Sequence, residues 1–267
     1  MTAATAVRQP ARSTEPGTTT VLSRAAGAEW VRLRTVRTTW WCLVAATVTI
    51  VGLGAIAAAD DAEGTATAAN PIVSTFAGEY GVLLGQFALL VLALLAVTSE
   101  YASGAIGPTL SWTPRRGVLL AARIAVPAIV VTVVGVALAL TADVVALLID
   151  PDLTLPVEDG AGSLARIAAV LAAGAVMAVG AGLLLRSTAG ALATVFLLQL
   201  VLPFLFQSFG VQWLADLAEW LPGTGAVRLL LDEPMDMSLG HAAALVVGWA
   251  GLALAAGGWR LLRRDAG

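Results

Sequence analysis

Six long apolar runs separated by shorter polar segments dominate the pattern of this 267-residue chain. Each run is about 20 residues long or longer, the length that a helix needs to cross the hydrocarbon core of a bilayer. Lipid offers backbone groups no hydrogen-bond partners, so the runs must be helical. We therefore predict an all-α membrane protein with six transmembrane helices, at residues 38–59, 80–98, 124–148, 167–185, 190–207 and 240–259.

The segments that flank these spans divide the chain further. Residues 1–20 are rich in Thr, Ala and Pro without periodicity, which predicts a disordered cytosolic leader. Residues 21–37 place an apolar face opposite several arginines, which is typical of an amphipathic helix lying at the membrane interface. We expect a membrane domain with all six spans to cover 38–260 and a cytosolic tail to cover 261–267.

A second short helix is predicted before the last span. Residues 211–221 place three leucines on one side of a helix, and Pro222 with Gly223 is expected to end it. This piece would lie at the interface or dip into the membrane as a re-entrant helix. Pro127 and Pro203 fall within spans three and five, where proline bends a helix.

Charge indicates which way the chain is oriented. All 15 basic residues are arginines, and 13 of them fall in the segments 1–37, 99–123, 186–189 and 260–267. Only Arg166 and Arg228 fall on the other side. Orientation follows the positive residues, so both termini are predicted to be cytosolic.

Composition also excludes several functions. A nucleotide-binding P-loop needs a lysine on the phosphates, and this chain has none. The single cysteine, Cys42, rules out an intrachain disulfide or a cysteine-based metal site. Motifs of hydrolases and metalloenzymes are also missing. We expect no enzyme activity, no catalytic residue, no bound cofactor or metal and no nucleic-acid partner.

The most informative polar segment joins spans two and three, from Ser99 to Arg116. It contains the pattern Glu-Tyr-x-x-Gly, then glycine turns, a short stretch with an apolar side, and Pro-Arg-Arg. From the residues alone it is either an inter-helix loop anchored by positive charge or a docking element. Its candidate residues are Glu100, Tyr101, Gly104, Leu110, Trp112, Arg115 and Arg116.

This pattern resembles the loop between the second and third spans of ATP-binding-cassette (ABC) type-2 export permeases. The stretch Ala28-Glu29-Trp30-x-Arg32-Leu33 and the tail Arg263-Arg264-Asp265 are similar to the same family. The resemblance implies a coupling helix that docks on a separate ABC ATPase, present in two copies. It also makes Glu29, Trp30 and Arg32 a second contact with the ATPase or with the membrane surface.

The resemblance further implies a partner permease, as a homodimer or a heterodimer, and a location in the cytoplasmic membrane of a bacterium. ATP and magnesium would bind only to the ATPase. The expected function is export of a substrate across the lipid bilayer, driven by the partner's ATP hydrolysis. The sequence does not indicate which substrate is exported.

Three polar residues within the spans are candidates for a transport pathway: Asp143, Gln86 and Gln199. An acid within a span is by default a functional hypothesis, although Asp143 could instead face an aqueous vestibule. Either glutamine could simply hydrogen-bond between helices. Two other functions stay open, a proton-coupled secondary carrier that uses Asp143 and a membrane scaffold or sensor that transports nothing.

Overall fold

The computed structural model describes residues 17–62, 74–103, 116–151, 153, 160–231 and 237–263. This part of the chain is all-helical, and six helical segments are long and apolar enough to cross a membrane. The predicted fold class is therefore confirmed, and the chain has the character of a multi-pass membrane protein. Which side holds the termini stays a prediction.

Five spans are single helices, and the fifth in chain order is a composite. The single ones are α2 (Arg37–Ala62), α3 (Thr75–Ser103), α4 (Arg116–Ile149), α5 (Gly160–Leu185) and α10 (Leu239–Arg263). The composite span consists of α6 (Thr188–Phe196), the π-helical turn π1 (Leu197–Val201) and α7 (Leu202–Ser208).

Several helices extend beyond the apolar runs that predicted them. Helix α4 begins at Arg116 rather than near 124, and α5 begins at Gly160 rather than near 167. A charged residue ends an apolar run without ending a helix, because arginine has good helix propensity. Apolar runs therefore predict the number of spans better than their ends.

Helices α3 and α5 form the centre of the bundle. In their most apolar windows 67% and 72% of the residues are buried, against at most 28% in the other four spans. Helix α2 packs on α3 and α4, and α10 packs on α5. Gly257 lets α10 approach closely, because a Cβ added there would lie 2.3 Å from the carbonyl oxygen of Gly180.

Helix α1 (Thr18–Thr35) precedes the first span, as predicted, and packs against α4. Val36 is extended and separates α1 from α2. The residues that α1 buries are Glu29 and Leu33, while Trp30 is half exposed. The helix therefore attaches to the bundle partly through a charged side chain.

Two short helices, rather than one, precede the last span. Helix α8 (Gln212–Ala218) is the predicted one, and α9 (Pro222–Leu231) was missed. The expectation that Pro222 and Gly223 only end a helix was incomplete, because proline is favoured at the first position of a helix. Most of α9 is buried, and it packs against α10, α3 and α5.

The spans alternate in direction, so the bundle has two distinct ends. We call them the α1 end, which also holds the α5–α6 link, and the α9 end, which also holds α8. At the α1 end the Arg260 guanidinium donates to the carbonyl of Leu184 and ties α10 to α5.

Candidate functional site

Four charged side chains meet at the α1 end and form what we call the ionic cluster: Glu29 and Arg32 from α1, Glu100 from α3 and Arg123 from α4. Arg32 donates hydrogen bonds to Glu29, to Glu100 and to the carbonyl of Ala96. Arg123 donates to Glu100, and its Nε lies 3.4 Å from the Glu29 carboxylate. Three helices are thereby joined through charge.

The ionic cluster is buried and its formal charges balance. The side chain of Arg123 is 0% exposed, and those of Glu29 and Glu100 are 7% and 13% exposed. Charges removed from water are tolerated only where opposite charges and hydrogen bonds compensate. Burial raises the pKa of Glu29 above its usual 4.5, and the attraction of Arg32 and Arg123 opposes that shift without cancelling it.

The ionic cluster contains three residues that the sequence singled out and one that it did not. Glu29, Arg32 and Glu100 were candidates for contact with a partner or with lipid, and their charged groups contact one another and Arg123. Trp30, by contrast, is 50% exposed beside them. Arg123 was counted only as a positive charge, and it lies within α4, which begins at Arg116.

Tyr101 belongs to a second contact at the same end. The Arg186 guanidinium lies 5.5 Å from the centre of the Tyr101 ring, a cation–π distance. Arg186 has a φ of 53° in the short link between α5 and α6. The contact connects α3 to the α5–α6 hairpin, close to where Arg260 ties α10 to α5.

Much of the predicted coupling segment lies outside the described residues. Gly104, Leu110, Trp112 and Arg115 belong to that part of the chain, and Arg116 is the first residue of α4. Residues 104–115 follow the end of α3 and precede the start of α4, whereas Glu100 belongs to α3. Glu100 and Arg123, on these two helices, are hydrogen-bonded to each other, so the ionic cluster lies at the base of the segment.

Gln86 and Gln199 come together within the membrane-spanning part of the bundle. Both line a cavity of about 220 Å³ between α3, π1 and α9. Gln86 donates from Nε2 to the Leu83 carbonyl at 3.0 Å. In the described part of the chain neither amide Oε1 accepts a hydrogen bond, although both atoms are buried. These two acceptors are available to a ligand or to water.

The π-helical turn that carries Gln199 has a local cause. Pro203 has no N–H to donate to the carbonyl of Gln199 four residues earlier, and its ring would crowd that carbonyl in a regular helix. The helix widens instead, and the N–H of Leu202 bonds to the carbonyl of Leu197. Such turns recur at functional sites.

Asp143 lies apart from the two glutamines, in a different cavity towards the α9 end. The three candidate pathway residues are therefore not one site. Asp143 is 6% exposed, and one of its oxygens accepts the backbone N–H of Gly78 at 2.7 Å. Glu79, beside Gly78, accepts the hydroxyl of Ser163 and lies 3.4 Å from Arg166.

Among the described residues, no group of three or more His, Cys, Asp or Glu side chains could hold a metal ion. The sequence matches no known family model, and no curated protein matches it.

Proposed function

We propose that this chain is the membrane subunit of an ABC-type exporter in a bacterial cytoplasmic membrane. The α1 end would face the cytosol, and an ATPase subunit would dock on the segment 104–115. Because the chain has no lysine, and so no P-loop, ATP and magnesium would bind on the ATPase. The chain itself would supply the pathway and not the energy.

The ionic cluster is the observation that carries the proposal. A displacement of the segment 104–115 moves the bundle only if the ends of α3 and α4 that flank the segment are held firmly together. Glu100 and Arg123 bond α3 to α4 there, and Arg32 bonds α1 to α3. Buried, charge-assisted hydrogen bonds resist separation more strongly than neutral ones. The three helices would therefore move together when the segment is displaced.

Two copies of the chain, or one copy and a related permease, would face each other across the pathway. Gln86 and Gln199 would line part of that pathway, since their amide oxygens are buried without a hydrogen-bond partner in the described structure and suit a cavity that a substrate or water fills. ATP-driven closure of the ATPases would move the segments 104–115 and open the assembly on the far side.

The proposal requires a partner ATPase, and the first place to look for one is a neighbouring reading frame that encodes a P-loop. Such an ATPase is co-expressed with the chain, and the complex is purified through a tag on this chain. The test variant carries Trp112→Ala, which removes an apolar side chain from the segment, and Arg115→Glu, which reverses a charge there. The matched control is Trp213→Ala, which removes an exposed tryptophan at the α9 end.

We expect the ATPase to co-purify with the wild-type chain and with the control, and to be lost from the test variant. An ATPase that binds none of the three chains, or binds all three equally, contradicts the proposal. Transport that persists without the ATPase and requires Asp143 would favour the proton-coupled carrier instead.

A further inference from the structure

A cavity of about 240 Å³ opens among α3, α4 and α5 towards the α9 end. Its walls are mostly aliphatic, from side chains such as Leu140, Val144 and Leu164. Two deeply buried polar side chains also line it, Asp143 at 6% exposure and Ser74 at 1%. The cavity thus combines an apolar wall with a small polar patch.

The carboxylate of Asp143 is incompletely satisfied by the protein. An ionised carboxylate can accept about four hydrogen bonds. In the part of the chain that the structure describes, the backbone N–H of Gly78 is its hydrogen-bond donor. Glycine is needed for that contact, because a Cβ on residue 78 would lie 2.8 Å from the Asp143 oxygen. The remaining acceptor positions of Asp143 have room for a ligand.

The described residues supply no counter-ion for this carboxylate. Arg166 pairs with Glu79, which also accepts the hydroxyl of Ser163. The Oγ of Ser74 is buried and has no hydrogen-bond partner in the described structure. A buried carboxyl group without a cation either takes up a proton or pairs with a positively charged group, and a cation that enters this cavity would form a buried ion pair with it.

We propose that this cavity binds a protonated amine attached to an apolar body. The ammonium group would donate to Asp143 and to the Ser74 oxygen, and the apolar body would pack on the aliphatic wall. A divalent metal ion fits less well, because calcium takes six to eight oxygen ligands and these two side chains supply only a few.

The cavity lies near the α9 end of the bundle. Asp143 lies six residues before the end of α4, which corresponds to about 9 Å along the helix. The binding site does not depend on the exporter proposal, because it would exist whether or not an ATPase docks at the α1 end. It can therefore be tested on the purified chain alone.

The test uses the full chain in lauryl maltoside micelles, titrated by isothermal calorimetry with benzylammonium and with its neutral analogue benzyl alcohol. We expect saturable binding of benzylammonium to the wild type and none of benzyl alcohol. Asp143→Asn should weaken binding by about tenfold or more, as removal of a buried charged partner does. The matched control, Asp216→Asn, removes an exposed acid at the same end and should leave binding unchanged.

A second variant keeps the test decisive if Asp143→Asn fails to fold. Ala161 lines the cavity and is exposed, so Ala161→Leu should narrow the cavity while keeping the carboxylate. We expect this variant to fold and to lose benzylammonium binding. Wild-type affinity in Asp143→Asn or in Ala161→Leu, or equal binding of the amine and the alcohol, would overturn the proposal.

Discussion

Arg123 is the residue on which the α1 end depends most. Its guanidinium is wholly buried, bonds to Glu100 and lies 3.4 Å from Glu29. Removing one partner of a buried ion pair leaves the other charge without compensation, which costs about 3–5 kcal/mol. Glu29 differs, because burial raises its pKa, which means that its charge is less well compensated than in water. The two residues should therefore respond differently to neutralisation.

We predict that Arg123→Gln lowers the free energy of unfolding by about 3–5 kcal/mol. Glu29→Gln should cost clearly less, and Arg24→Gln, which removes an exposed arginine from α1, should stay within about 0.5 kcal/mol. Denaturant or thermal unfolding of the detergent-solubilised chain measures all three. Equal losses for Arg123→Gln and Arg24→Gln would show that the ionic cluster does not hold the α1 end together.

The sequence identified three of the four members of the ionic cluster but not their pairing. Glu29, Arg32 and Glu100 stood out because they interrupt apolar patterns, which equally suits contact with a partner or with lipid. Their pairing depends on how α1 is rotated against α3 and α4, and helical periodicity carries no information about that rotation. Arg123 was missed because a charge at the end of an apolar run ordinarily lies at the interface.

Among the helices, α9 is the one that the sequence pattern did not predict. The six spans follow from the apolar runs, because backbone groups in lipid leave no alternative to helix. No such constraint applies to 208–239, where Pro222 and Gly223 are equally consistent with the end of one helix and the start of another. The structure begins α9 at Pro222, and the indole N–H of Trp249 bonds to the Trp220 carbonyl just before it.

Helix α9 packs so closely on π1 that residue 223 has no room for a side chain. A Cβ added to Gly223 would lie 2.0 Å from the carbonyl oxygen of Gln199, so α9 would have to move away from π1. Overpacking of this kind costs about 1–3 kcal/mol. We therefore predict a lower midpoint of thermal unfolding for Gly223→Ala.

Gly251→Ala is the matched control, because nothing lies within 4 Å of a Cβ added there in α10. Alanine favours helix over glycine, so this change should be neutral or slightly stabilising. If Gly223→Ala unfolds at the same temperature as Gly251→Ala, the close packing of α9 on π1 is wrong.

Across the whole molecule, the two ends of the bundle differ in the charges that they carry. Of the 15 arginines, 13 fall in the segments of the α1 end, which also holds the ionic cluster, while most acidic residues of the sequence and the Asp143 cavity belong to the α9 end. The positive-inside rule predicts that the α1 end lies in the cytosol. That orientation would allow the proposed ATPase to reach the segment 104–115.

Orientation can be measured in whole cells. In a Cys42→Ala background, Gly27→Cys marks the α1 end and Gly240→Cys marks the α9 end; both positions are exposed and have no neighbour within 4 Å of an added Cβ. We predict that a membrane-impermeant maleimide labels Gly240→Cys in intact cells and labels Gly27→Cys only after permeabilisation. The reverse pattern would place the segment 104–115 on the wrong side for an ATPase.

We propose that this chain works only as part of an assembly with an ATPase, and the native mass of the complex purified from cells tests that proposal most directly. After co-expression with its candidate P-loop ATPase, native mass spectrometry should detect two permease chains, identical or related, together with two ATPase chains. If the chain is recovered only alone, or only with copies of itself, while the ATPase is present and folded in the same cells, the exporter proposal is contradicted.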